Sequence, residues 1–241
     1  GYDGMAAIVH VVRTLKGKIE TDKAVAALKG WKHNSPRGPI MIDPVTRDVV
    51  MNEYLSEVIM KDGRLFQKTI GKIDTNAMPE ASGLAASKAH AGRLYHINDK
   101  GNVPTVFITD KAGKISQRFE LPLANASTAD TESLGYGPCS GKTCLFIGDI
   151  GDNNSSRSSI SLAWIEEKAT YTAAEKLTGQ ISMTYPDGAH NAEGFFIDTN
   201  GDFVIFTKNL VREPKRPGQK KKTSAGPSGI YRLAAAKIAT G

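Results

Sequence analysis

Over the first fifteen residues the apolar positions Met5, Ile8, Val9, Val12 and Leu15 recur at steps of three and four, which predicts one stripe along an amphipathic helix. Thr21 predicts an N-cap, and Ala24, Val25, Ala27 and Leu28 predict a second helix that stops at Gly30. From Ser35 to Ile73 the period changes. Short apolar and β-branched runs, broken at Asp43-Pro44 and Asp62-Gly63, predict three strands, with Asp62-Gly63 as a tight hairpin turn.

Beyond Asp74 no long helical stripe recurs. The runs LYHIN, TVFITD, ISQRFEL, CLFIGDI, SISLAWI, ISMTY, GFFID, FVIFTK and GIYRL are rich in β-branched and aromatic residues and are punctuated by Gly, Asn and Asp. An acidic residue opens a unit at Glu80 (EASGL), Glu132 (ESLGY) and Glu193 (EGFFI), with steps of 52 and 61 residues. Repeats of this length suit four-stranded propeller blades with variable loops, and about three units fit, near residues 78–124, 130–185 and 191–241. The expected class is α+β overall, with a mixed segment over residues 1–74 and an all-β partial propeller of about three blades over residues 75–241. The junction KIDTNAMPE holds no Gly/Ser-rich or Pro-rich linker.

Composition narrows the class without changing this picture. The 241 residues are 40% apolar and carry 31 Lys and Arg against 25 Asp and Glu, values that exclude disorder, collagen and a coiled coil. No apolar run is long enough for a transmembrane helix, and the first residues lack the basic start and cleavage site of a signal peptide. The net charge of +6 is local. Lys208, Arg212, Lys215, Arg216, Lys220, Lys221 and Lys222, against Glu213, account for all of it, inside a Pro-, Gly- and Ser-rich stretch over 208–228 that reads as an exposed loop. Without stacking aromatics or a recognition helix the loop does not indicate a nucleic-acid partner.

Candidate chemistry sits in the β-rich portion. In a propeller the innermost strand of each blade lines the channel, so Glu80, Glu132 and Glu193 are expected to converge there. Asp149 and Asp152, with Asn98-Asp99 and Asn153, add hard oxygen donors of the kind that suit Ca²⁺. Asp, Asn and Gly are equally the residues of tight turns, so GDIGDNN also reads as an elaborate turn. His190 stands three residues before Glu193, and the two would form an imidazole–carboxylate pair for base catalysis or metal binding if the segment turns tightly. Ser82 reads as structural. Cys139 and Cys144 read as a disulfide across a hairpin, which fits an oxidising compartment. No P-loop, dinucleotide fingerprint, HExxH or nucleophile elbow occurs.

Two ordered sets of motifs resemble known families. GYDGM, a helix pair and SPRGPIMIDPVTRDVVMNEYLSEVIMKDGRLFQKTIG resemble the C-terminal end of type I periplasmic solute-binding proteins of the branched-chain amino acid and amide ABC transporters. That resemblance implies an α/β lobe fragment, a small amino-acid or amide ligand and an ABC permease as partner. It places Tyr2 and Asp3 near the cleft and most ligand contacts upstream of Gly1; a helix-start Asp equally caps its helix. EASGLAAS, LYHINDKGNVPTVFITDKAGK, LFIGDIGDNNSSR, YPDGAHNAEGFFIDTNGDFVIFTK and GIYRL resemble a family of secreted bacterial β-propeller proteins, whose relatives show a Trp-Glu-Asp-like triplet where Asp130-Thr131-Glu132 stands. This second resemblance implies a fold more than an activity.

Together they imply an extracytoplasmic binding protein, periplasmic or extracellular, in which two incomplete domains abut as in a gene fragment or spliced reading frame, and which associates when isolated because strand edges stay open. The alternatives are a calcium-dependent propeller hydrolase of esters, lactones or phosphoesters, in which His190 and Glu193 would act, and an interaction propeller that uses the basic loop.

Overall fold

The computed structural model describes residues 1–208, 210–212 and 223–239. They are mostly β with few helices, in several small antiparallel sheets, none of which closes into a barrel. The chain divides into two compact units, residues 1–73 and 74–241.

Unit 1 begins with α1 (Tyr2–Thr14) and α2 (Thr21–Leu28). Thr21 is the first helical residue and Glu20 the N-cap, with no side-chain cap bond, one position ahead of the expected cap. Five strands follow rather than three: β1 (Lys32–Ser35), β2 (Gly38–Ile42) and β3 (Val49–Met51) form one sheet, and β4 (Tyr54–Lys61) and β5 (Arg64–Lys72) a separate hairpin. Asp62 and Gly63 turn that hairpin at φ values of 49° and 71°, the two positive angles a two-residue primed turn needs.

The stripe on α1 does not face inward. Met5 and Ile8 are about three-fifths exposed, and Val9 and Val12 are also exposed, whereas Val11 is buried at 7%. His10, next to Val11, reaches the Ala27 carbonyl through Nε2 at 3.1 Å and stacks on Trp31, so the 10/11 face is the one packed toward α2 and the strands. A large apolar face on α1 is therefore left uncovered within the unit.

In unit 2 the strands run in order and pair with their sequence neighbours. The first sheet is β6 (Ala81–Ala86), β7 (Leu94–Asn98), β8 (Thr105–Thr109) and β9 (Ile115–Glu120). The second is β10 (Thr131–Cys139), β11 (Lys142–Asp149), β12 (Ile160–Glu166) and β13 (Gly179–Met183). The third joins β14 (Ala192–Ile197), β15 (Phe203–Thr207) and β18 (Ile230–Leu233), and α3 (Ala235–Ala239) follows it. Between β15 and β18, β16 (Leu210–Arg212) and β17 (Thr223–Ala225) pair as a ribbon, so part of the expected loop is strand. Lys215, Arg216 and Lys220 to Lys222 lie outside the described residues.

The strand period builds the core. Leu145, Ile147, Ala163 and Ile165 of the second sheet share one cluster with Tyr95, Ile97, Val106 and Ile108 of the first. The alternate residues Phe146, Leu162 and Trp164 share the other cluster with Phe195, Phe203 and Ile205 of the third. The middle sheet is thus buried on both faces, which is why β11 and β12 read as continuous apolar runs rather than alternating ones. Contact with the third sheet is close enough to demand glycine. A Cβ on Gly135 or Gly148 would stand 2.5 and 2.7 Å from the Phe195 ring.

His96, only 2% exposed, faces Thr109 Oγ1 at 2.9 Å across β7 and β8. Burial pulls its imidazole down from the ordinary 6.5 to about 4. Between those values the unfolded chain binds a proton that the folded chain does not, so stability falls as pH drops from 6.5 towards 4, by at most about 3 kcal/mol. Denaturant melts across this range are expected to show that loss in the wild type and a shallower one in His96→Gln; parallel pH profiles would contradict it.

Candidate functional site

Each of the three sheets begins with a strand carrying a bulge. The register slips between Ala81 and Leu84 in β6, between Thr131 and Ser133 in β10, and between Ala192 and Gly194 in β14. A bulge leaves one residue unpaired and re-aims its side chain. In β10 and β14 those residues are Glu132 and Glu193; in β6 the slip holds Ser82 and Gly83. The structural counterpart of the two glutamates is thus Ser82, not Glu80, which is exposed two residues earlier and accepts a hydrogen bond from Asn102 Nδ2 at 2.9 Å. Ser82 has a site role that its sequence context hid: its hydroxyl donates to Glu132 Oε2 at 3.0 Å.

Around Glu132 the structure gathers Asp99, just past β7, and Asp130, just ahead of β10; one ligand oxygen from each lies within 4.8 Å of the others. Asp130 is 0% exposed and Glu132 5%. Lys100 Nζ meets Asp130 Oδ2 at 3.1 Å, while Oδ1 is buried with no hydrogen-bond donor among the described residues. Burial, with the charges of Asp99 and Glu193 added, raises the Glu132 carboxyl to about 7, and burial also raises Asp130 against the pull of Lys100. Asp99 stood among the hard oxygen donors expected from the sequence, whereas Asp130 escaped that reading. The signal for Asp130 was position: 130 and 132 stand two apart at the start of one strand.

The remaining members of the expected metal set are placed otherwise. Asp149, 1% exposed, takes both guanidinium arms of Arg157 at 2.7 and 2.8 Å, Asn125 Nδ2 at 2.5 Å, the Asp130 backbone N–H at 2.7 Å and Ser161 Oγ at 3.2 Å. Its hydrogen bonds from Arg157, Asp130 and Asn125 hold it below the usual carboxylate range despite burial. Asp152 Oδ2 accepts the backbone N–H groups of Ser156 and Arg157 at 2.7 and 2.8 Å. Both oxygens of Asp149 are thus taken by protein donors, and Oδ2 of Asp152 by two N–H groups of its own loop. Glu193 is turned to Lys208 Nζ at 2.7 Å.

His190 and Glu193 are not the pair expected. His190 Nε2 lies 3.1 Å from Asp187 Oδ1 and 2.9 Å from the Tyr231 hydroxyl, which donates to Asp187. A cavity of about 210 Å³ bordered by Arg157, Met183, Tyr185 and His190 opens beside this group. In unit 1, Tyr2 is 63% exposed with its ring 5.9 Å from that of His33. Asp3 accepts from Arg37 Nε and Nη2 at 3.1 and 2.5 Å, tying α1 to the turn between β1 and β2 instead of capping its own helix. Cys139 and Cys144 form a disulfide with Cα atoms 5.8 Å apart, across the hairpin of β10 and β11. No helix among the described residues is long and apolar enough to cross a membrane.

No protein-family model matches the chain. A 79-residue stretch is 40% identical to Leu/Ile/Val-binding protein homolog 6 of Brucella abortus (strain 2308) and, equally, of Brucella suis biovar 1 (strain 1330); the match covers 32% of this chain and 20% of the relative. The chain therefore spans about a fifth of the length of the curated relatives it matches. Two solved solute-binding proteins of ABC transporters from Rhodopseudomonas palustris are 44% and 43% identical over 30% of this chain and 20% of theirs. One, from BisB5, was solved with 3,4-dihydroxybenzoic acid and the other, from HaA2, with p-hydroxybenzoic acid. Their TM-scores, 0.29 and 0.28, are too low to bear on the fold. The chain carries a partial match to solute-binding proteins of ABC transporters.

The Asp149–Arg157 pair generates a stability prediction. Arg157→Met removes the cation from a fully buried carboxylate, and losses of about 3–5 kcal/mol follow when one partner of a buried pair is deleted. Urea denaturation of the variant is expected to show a loss of that order, and a loss under about 1 kcal/mol, the range of exposed pairs, would contradict it.

Proposed function

We propose that the stretch shared with the Brucella proteins is unit 1, where GYDGM and SPRGPIMIDPVTRD lie, and that it serves as part of the substrate-binding component of an ABC transporter. The observation that carries this reading is the 40% identity over 79 residues. The name of the Brucella relatives supports a small ligand of the amino-acid or amide class. The exposed face of α1, with Met5, Ile8, Val9 and Val12, supports a role inside a larger assembly, since apolar area of that kind stabilises only when covered. Tyr2 is exposed for contact with a ligand or a neighbouring lobe, whereas Asp3 is committed to Arg37.

Unit 2, on this reading, is a partial propeller of about three blades. Its support is the run of sheets whose strands pair in sequence order, each opening on a bulged first strand. An extracytoplasmic location, periplasmic or extracellular, is supported by the disulfide, a bond that persists in oxidising compartments.

Exchange of the matching stretch in Leu/Ile/Val-binding protein homolog 6 for residues 1–73 tests the assignment. The chimera is expected to fold cooperatively and to melt higher with at least one member of a panel of branched-chain amino acids, their amides and hydroxybenzoates, by mass action. A chimera that unfolds, or that folds but loses every ligand response of its parent, would overturn the reading.

A further inference from the structure

We propose that Asp99, Asp130 and Glu132 form a binding site for one hard divalent cation, Ca²⁺ in preference to a transition metal. Three observations converge on it. Ligand oxygens of the three carboxylates stand within 4.8 Å of one another, close enough to share an ion. Asp130 is completely buried, yet its Oδ1 has no donor among the described residues; buried polar atoms without partners are rare, and a cation is a partner that a lone carboxylate oxygen can take. The third observation is a close approach that only glycine permits. A Cβ on Gly151 would stand 2.8 Å from both Asp130 Oδ1 and Glu132 Oε1, so the two oxygens both lie against this glycine and a side chain at 151 would displace them.

The division of lone pairs is consistent with this assignment. Lys100 occupies Asp130 Oδ2, and Ser82 occupies Glu132 Oε2, which leaves the opposite oxygen of each carboxylate turned towards the backbone of Gly151. Asp99 is half-buried and supplies the side open to water, from which Ca²⁺ would complete its six to eight oxygen ligands. The donors are all carboxylates, with neither thiol nor imidazole among them, so the site disfavours Zn²⁺ and Cu²⁺. The bulge at Glu132 and the Asp149–Arg157 loop set the geometry, since the Asp130 backbone N–H is held by Asp149.

Isothermal titration of the full chain, stripped with chelator and titrated with Ca²⁺, tests the site, with a thermal melt at about 1 mM Ca²⁺, within the range of extracellular calcium modules. The wild type is expected to bind one Ca²⁺ and to melt higher in its presence. Asp99→Asn, at a half-buried position whose fold is checked by circular dichroism, and Asp130→Asn should each weaken binding by at least about tenfold. Glu80→Gln should bind as the wild type does. Absence of both heat and melting shift in the wild type, unchanged affinity in a folded Asp99→Asn, or tighter binding of Zn²⁺ than of Ca²⁺ would overturn the proposal. None of these outcomes bears on unit 1, so the solute-binding reading stands or falls separately.

Discussion

A carboxylate with 1% of its surface exposed must be matched by donors or neutralised, and Asp149 is matched on every side. Its donors come from four places in the chain: Arg157, the Asp130 backbone, Asn125 and Ser161. Through them the end of β11 fixes the approach to β10, the start of β12 and the loop between. Asp152 closes that loop on Ser156 and Arg157, and its own N–H is taken by Asn191 at 2.6 Å, which joins the second sheet to the entry of the third. The position of Asp130, and with it the carboxylate group around Glu132, is a consequence of this one buried charge. Such a node adds little net stability over an apolar replacement, but it specifies one geometry, because few other arrangements satisfy so many donors.

The apolar interior follows from a simpler constraint. The middle sheet is covered on both faces, so it cannot show the inside–outside alternation of a half-exposed sheet, and its alternate residues are shared between two clusters instead. Small residues are needed where the sheets close on each other. Gly135 and Gly148 make room for Phe195, and Gly151 for the carboxylates. A glycine within a strand and a glycine beside a charged site thus perform the same steric task, one for a ring and one for oxygen atoms.

Much of the framework was legible in the sequence. The order of β-rich runs gave the strands of unit 2, Asp62-Gly63 gave the hairpin, and the recurrent glutamates pointed towards the bulged first strands. Side-chain roles were less legible, for identifiable reasons. The repeat placed Glu80 with Glu132 and Glu193, whereas pairing registers put Ser82 in that place, because a bulge is invisible to spacing alone. Asp149 and Asp152 have the residue type of ligands, but residue type does not tell how many donors will surround a carboxylate. His190 found Asp187, also three residues away, on the other side of it. On α1 the apolar stripe was real, yet it lies outward, since a helical period shows that one face is apolar without showing what covers it.

The orphaned oxygen of Asp130 and the neighbouring oxygen of Glu132 are proposed to hold a cation. Anomalous difference density from a crystal of the full chain soaked in Tb³⁺, a Ca²⁺ surrogate, reads this directly. One dominant peak is expected among the carboxylates of Asp99, Asp130 and Glu132, beside Gly151. No peak there, or a dominant peak at Glu80 or at the Asp152 loop, would contradict it.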